Sequence, residues 1–149
     1  MKPYEIKQIG LEDYPKCNAI CNMKNSPYTQ TFIEQIKAGV RDVFILTVDG
    51  EYIAECDLVY DNPEYGTIPG NRLYLSRLIV KKEQRGKGYG KAISEYILDF
   101  AKEKGYREIV LGVNRDNTAA VHLYTDLGFT AYEEAEDADG KFYKMEITL

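Results

Sequence analysis

The pattern of apolar residues predicts an α+β fold: a mixed, mostly antiparallel twisted sheet with one central parallel strand-helix-strand crossover and flanking helices. Three observations carry that expectation. Two alternating segments meet at Asp49-Gly50, a dipeptide that favours a two-residue hairpin turn. One long stretch with helical spacing separates the apolar runs Leu73–Val80 and Glu108–Val113, so those runs are expected to lie parallel. A second alternating pair around Asp139-Gly140 closes the chain. This mixed order argues against a doubly wound sheet. The 149 residues, 44% of them hydrophobic, are enough for one core and are expected to form a single domain over residues 1–149.

Taken in order, Tyr4 to Ile9 alternates weakly. Asp13 then serves as an N-cap candidate for a helix through about Met23, with Tyr14, Cys17, Ile20 and Cys21 at helical spacing. Asn25-Ser26-Pro27 breaks it, and a second helix is expected from Thr31 to about Lys37, ending near Gly39. Val43 to Val48 and Tyr52 to Tyr60 form the first hairpin. Asp61 to Asn71, with Pro63, Gly66, Pro69 and Gly70, reads as a loop before the strand Leu73–Val80. From Lys91 to Lys104 the apolar positions Ala92, Ile93, Tyr96, Ile97, Phe100 and Ala101 share a helix face, and Gly105 ends it. A short helix over Thr118–Leu127 is stopped by Gly128, and Phe129–Glu134 with Lys141–Leu149 completes the terminal hairpin.

Composition narrows the function classes. A net charge of -5 argues against general nucleic-acid binding, which needs a basic surface. Cys17, Cys21 and Cys56 are neither paired in a C-x-x-C motif nor numerous, and His122 is the single histidine, so no metal site is expected. His122 itself reads as a helix surface residue. No stretch approaches a spanning helix and the N-terminus has no apolar leader, so a reduced, cytoplasmic protein with no membrane partner is expected. Glu133, Glu134, Glu136 and Asp137 read as a solvated acidic run.

The richest segment is Gln84-Arg85-Gly86-Lys87-Gly88-Tyr89-Gly90-Lys91, set between a strand and an amphipathic helix. There the backbone amides and the helix N-terminus converge on a point where an anion can sit. Gly86, Gly88 and Gly90 let the backbone approach, and Arg85, Lys87 and Lys91 add positive charge. The spacing departs from the Walker loop and from the G-x-G-x-x-G dinucleotide motif, so neither ATP nor NAD is favoured. A plain tight turn with solvated lysines is the simpler alternative.

Arg85-Gly86-Lys87-Gly88-Tyr89-Gly90 resembles the R/Q-x-x-G-x-G/A signature of the GNAT superfamily of acyl-CoA-dependent N-acyltransferases. Val113-x-x-x-Asn117-x-x-Ala120-x-x-x-Tyr124-x-x-x-Gly128-Phe129 is similar to the family's strand, short helix and Gly-Phe ending. The resemblance covers about Val43 to the C-terminus by element order and says least about the N-terminal third. It implies that acetyl-CoA is the co-substrate, with its pyrophosphate on the amides from Arg85 through Lys91. It also implies that Leu78, Ile79 and Val80 pair with the pantetheine arm like an added strand. A β-bulge in that strand, splaying it from Glu108–Val113 into a V-shaped slot, is part of the same expectation.

The resemblance further implies that Tyr124 stands near the CoA sulfur as general acid and that Asn117 contacts the cofactor arm; a half-buried aromatic and a helix N-cap are the ordinary roles for these residues. Family members that carry a glutamate on the fourth strand use it as a base, but this sequence offers Ser76 and Tyr74 there. Glu55 and Asp57, two apart and so on one strand face, are the base candidates, a solvated strand face being the ordinary alternative. Tyr60, Tyr65 and Tyr74 are candidates for an acceptor pocket. The expected function is acetyl transfer to a primary amine by direct attack in a ternary complex, with a small amine ahead of a protein N-terminus or lysine. The rivals are a non-catalytic CoA-binding module and a nucleotide binder without CoA. C-terminal strand exchange or edge pairing offers a route to a homodimer.

Overall fold

The computed structural model describes residues 1–149. Seven strands form one sheet: β1 (Glu5–Ile9), β2 (Arg41–Val48), β3 (Glu51–Val59), β4 (Arg72–Val80), β5 (Glu108–Asn114), β6 (Thr130–Asp137) and β7 (Gly140–Thr148). Their spatial order is β1-β2-β3-β4-β5-β7-β6, and every neighbouring pair is antiparallel except β4 with β5. The helices are α1 (Thr29–Lys37), α2 (Tyr89–Glu103) and α3 (Thr118–Leu127). The expected crossover is present, with α2 linking β4 to β5. The β2–β3 hairpin turns through Asp49 and Gly50 at φ 51° and 80°, the doubly left-handed geometry that an Asp-Gly pair tolerates.

Alternation gives the sheet two unlike faces. Phe44, Leu46, Cys56, Leu58, Leu73, Leu75, Ile109, Leu111 and Met145 point to one face and pack against Ile93, Ile97 and Ala101 of α2 and Tyr124 of α3. On the other face Val43 and Ile45 meet Tyr14, Cys17, Ile20 and Met23, with Phe32, Ile33 and Ile36 of α1 beside them. That second layer covers only the β1–β3 half of the sheet. Over β4, β5 and β7 the same face is left open.

The N-terminal layer corrects one expectation. The residues from Asp13 to Met23 do not form an α-helix; a 3-10 helix runs only from Tyr14 to Ala19. Asp13 makes no capping bond and instead takes Lys16 Nζ at 2.8 Å, with Pro15 in the first turn. Asn18 Oδ1 accepts from the Met23 amide at 2.8 Å and folds the chain back. The apolar residues singled out by spacing are still the ones buried: Tyr14, Cys17 and Ile20, but not Cys21.

Candidate active site

The parallel pairing of β4 and β5 spans only Arg72–Tyr74 against Glu108–Val110. Beyond Tyr74 the two strands part. The cause lies on the other edge of β4, where Asp57 faces Ser76 and Glu55 faces Ile79, so that Cys56 alone on β3 is matched by Arg77 and Leu78 on β4. The extra residue is a bulge, and Arg77 adopts φ 58° within it, one of only two non-glycine residues with positive φ. From Leu75 to Val80, including Leu78, Ile79 and Val80, the edge of β4 facing β5 has no strand partner. Apart from the Val80 carbonyl, which accepts from Arg85 Nε, its outward backbone groups have no strand partner and can pair with an extended ligand.

What holds the bulge is a buried polar network that alternation places on the second face. Arg77 Nε donates to Glu55 Oε2 at 3.1 Å, and Arg41 Nη1 donates to Asp57 Oδ2 at 2.6 Å and to Ser76 Oγ at 3.2 Å. The Arg41 and Arg77 guanidinium carbons lie 4.0 and 5.6 Å from the Phe32 ring centroid. Glu55 and Asp57 do share a face, as their spacing requires, but that face is not solvated: they are 1% and 0% exposed. Burial, and then the neighbouring Glu55 carboxylate with its hydrogen bond, push Asp57 well above the ordinary aspartate range against the pull of Arg41. Burial and Glu55 likewise raise the Cys17 thiol, which leaves it an inert core residue. Arg41 and Arg77 had no sequence signal, because nothing in an arginine's neighbours announces a buried pair or a left-handed backbone.

At the end of β4 the chain enters the glycine turn. Gly86 and Gly88 take φ 76° and 94°, and Gly88 is the N-cap of α2. Gly90 is needed for a different reason: a Cβ there would lie 3.4 Å from Val80 and 3.7 Å from Leu123. No side chain caps α2, so its first amides, at Tyr89, Gly90 and Lys91, have no intrahelical acceptor and remain available to an anion. Arg85 Nε donates to the Val80 carbonyl at 3.0 Å, Lys87 Nζ reaches Gln84 at 3.0 Å, and Lys91 stands 3.9 Å from Glu95. Tyr89 can serve the turn through its amide alone, since its ring is buried and its hydroxyl accepts from the Lys2 amide at 3.3 Å.

Across the slot, Asn117 caps α3, its Oδ1 accepting from the Ala120 amide at 3.2 Å. The carboxamide nitrogen remains unbonded within the chain. Tyr124 of α3 packs into the core, is 6% exposed and meets the Phe129 ring edge-on at 5.6 Å. Burial raises its hydroxyl well above the ordinary tyrosine value, so it stays protonated at all working pH. His122 is a surface residue of α3 beside Asp126.

The open half of the second face holds a cavity of about 690 Å³ that follows β5 from Val110 to Asn114. Tyr65 and Tyr74 line it, stacked at 4.6 Å, but Tyr60 does not. Tyr60 instead hydrogen-bonds Asp42 and packs on Tyr106. Gly112 shapes the floor: a Cβ there would sit 3.4 Å from the Tyr74 hydroxyl and 3.6 Å from Phe142. The acidic run divides. Glu133 pairs with Lys144 and Glu134 with Arg115, whereas Asp137 lines the cavity. No group of metal-ligating side chains is present.

Comparison with known proteins gives this geometry a family. The acetyltransferase (GNAT) family model matches residues 4–129. Human N-acetyltransferase 8B is 40% identical over 72 residues, covering 48% of this chain and 30% of that protein. N-alpha-acetyltransferase 30 of Schizosaccharomyces pombe is 40% identical over 62 residues, covering 42% and 41%. The matched stretch thus spans less than half the length of these relatives. Among solved structures, a probable acetyltransferase from Staphylococcus epidermidis superposes with a TM-score of 0.80 at 14% identity over 98% of this chain and 99% of that one. A ribosomal-protein-alanine N-acetyltransferase from Brucella melitensis gives 0.78 at 18% identity over 97% and 99%. No helix is long and apolar enough to cross a membrane. With the family model spanning most of its length and the fold matching throughout, the chain belongs to the acetyltransferase (GNAT) family.

Proposed function

We propose that this protein moves an acetyl group from acetyl-CoA to a small primary amine by direct attack, with no covalent enzyme intermediate. The observation that carries the reading is the conjunction of the uncapped, glycine-led N-terminus of α2 with the unpaired edge of β4 beside it. The amides of Gly86 through Lys91 would hold the pyrophosphate, with Arg85, Lys87 and Lys91 adding charge. The free edge around Leu78, Ile79 and Val80 would take the pantetheine arm as an added strand, and one of its amides would polarise the thioester oxygen. Bound acetyl-CoA supplies an activated acyl carbon.

In the reaction the neutral amine nitrogen forms the new C–N bond, the C–S bond breaks, and the amine loses one proton while the thiolate gains one. Burial keeps Tyr124 protonated, so its role would be to donate a hydrogen bond as charge builds on sulfur, the thiolate taking its proton from solvent as the product leaves. Asn117 has a free carboxamide N–H pair to offer the cofactor arm. Glu55 and Asp57, the candidates for receiving the amine's proton, lie buried behind the bulge in ion pairs with Arg77 and Arg41, so either would act through water and not by direct contact with the amine. Tyr65 and Tyr74 offer the acceptor an aromatic wall.

Thiol release from acetyl-CoA across a panel of amines, with acetyl-CoA affinity measured on the same samples, tests this reading. Turnover with at least one amine is expected. Tight acetyl-CoA binding without turnover on any amine or peptide would favour a CoA-binding module.

A further inference from the structure

The glycine turn is built from residues that hold little shape of their own. Gly86 and Gly88 stand at φ 76° and 94° and no side chain caps α2, so the amides that face an anion must be fixed from outside the turn. Two fixings lie toward β4. Arg85 Nε donates to the Val80 carbonyl, and Gly90 packs closely against Val80 and Leu123. Tyr89 is the third. Its ring is 2% exposed and rooted in the core beneath α2, and its hydroxyl has one partner in the chain, the Lys2 amide at 3.3 Å.

That partner comes from the segment that precedes β1. Glu5 faces Thr47 in the β1–β2 ladder, so Met1–Tyr4 run past its last pair toward the tip of the β2–β3 hairpin. Pro3, with no N–H to donate, does not prolong the pairing. The segment crosses to the glycine turn instead. Tyr4 meets the Tyr89 ring edge-on at 6.5 Å, and a Cβ on Gly88 would lie 3.6 Å from Met1 Sδ. Met1 and Lys2 then share with Asp49, Glu51, Gln84 and Lys87 the walls of a cavity of about 380 Å³, so the segment bridges open space between hairpin and turn.

We propose that Met1–Tyr4 form a strap that holds the glycine turn in its anion-binding form, with Tyr4 and Tyr89 as positioning residues for the cofactor. The identity of the anion, the pyrophosphate of acetyl-CoA, rests on the acetyl-transfer reading; the hold itself rests on the contacts alone. Amides already in place bind without a further ordering cost, so a strap that fixes Tyr89 tightens binding without touching the ligand.

Amide hydrogen exchange and acetyl-CoA calorimetry on the full chain test this with Y89F, Y4A, the double variant and K2Q. Y89F keeps the ring in the core and removes only the acceptor, Y4A removes the edge-on ring, and K2Q keeps the amide while removing the charge. In cofactor-free protein, exchange over Ala92–Ser94, where the Ala92 amide donates to the Gly88 carbonyl, is expected to be about threefold to tenfold faster in Y89F and in Y4A. Kd for acetyl-CoA is expected to rise by a similar factor, and in the double variant by less than the product, because both changes release one contact. KM for the amine is expected to stay within about twofold of wild type. K2Q is expected to match wild type in exchange and in Kd. Wild-type exchange in both single variants would overturn the proposal, as would an unchanged Kd, or a loss in K2Q equal to that in Y89F, which would make the lysine charge the agent. If wild type binds no acetyl-CoA, the acetyl-transfer reading falls and the exchange rates alone decide the strap.

Discussion

Arg77 and Tyr124 show how much of this site depends on single side chains. Arg77 holds a backbone conformation that costs a non-glycine residue of the order of 1–3 kcal/mol, and the ion pair to Glu55 keeps it there. Replacing Arg77 by alanine leaves the strain and strands a buried carboxylate, so a loss of about 3 kcal/mol is expected in urea unfolding. Arg77→Gly relieves the strain but not the stranded charge, so it is expected to fall between wild type and Arg77→Ala. Tyr124→Phe keeps the ring packed against Phe129 and removes only the donor. It is expected to lower kcat roughly 100-fold with little change in acetyl-CoA affinity, as single-turnover rates and calorimetry will report. The same residues mark what was legible. The glycines were readable as a turn because their spacing has a mechanical reason, whereas the roles of Tyr124 and Asn117 came from the family resemblance. Arg41, Arg77 and Gly112 were not, because their roles arise from strands distant in sequence: Arg41 from Asp57, Arg77 from the register with β3, Gly112 from Tyr74 and Phe142.

At the scale of elements, the deciding feature is a mismatch of one residue between β3 and β4. A regular β4 would keep its register with β5 to the strand's end, Leu78 opposite Asn114, and close the slot. Both hairpins, the crossover and α2 followed from local periodicity and turn chemistry, with boundaries shifted by only a few residues. The N-terminal helix did not, because helical spacing of Tyr14, Cys17 and Ile20 is equally satisfied by a short 3-10 segment that Pro15 and the Asp13–Lys16 pair make tighter. The buried pair on β3 has a consequence for pH. Asp57 keeps its proton more tightly when folded than at the ordinary value near 3.8, so between that value and its folded pKa the native state binds more protons than the unfolded chain. Stability from this group is therefore present below 3.8 and declines as pH rises through that window. The thermal midpoint of Asp57→Asn relative to wild type is expected to improve steadily from pH 4 to pH 7; a flat difference would remove the raised Asp57 from the account.

For the whole molecule, the division of labour follows from the two faces of one sheet. The face under α2 and α3 is the larger apolar core, and it anchors the helix whose N-terminus forms the glycine turn. The other face is covered only over β1–β3, which leaves the cavity open over β4, β5 and β7. The slot between β4 and β5 joins the two sides, so cofactor and acceptor can approach one point from opposite directions.

Calorimetry of acetyl-CoA against wild type and Gly88→Asp reads out whether the glycine turn cradles the cofactor's phosphates. Gly88 sits at φ 94° at the head of α2, so aspartate adds both a strained Cβ and a negative charge where the pyrophosphate would lie. Wild type is expected to bind, and a variant that retains its circular dichroism spectrum is expected to lose at least about 100-fold in affinity, the repulsion and lost amide contacts acting together. Equal binding by both proteins, or none by well-folded wild type, would contradict the account.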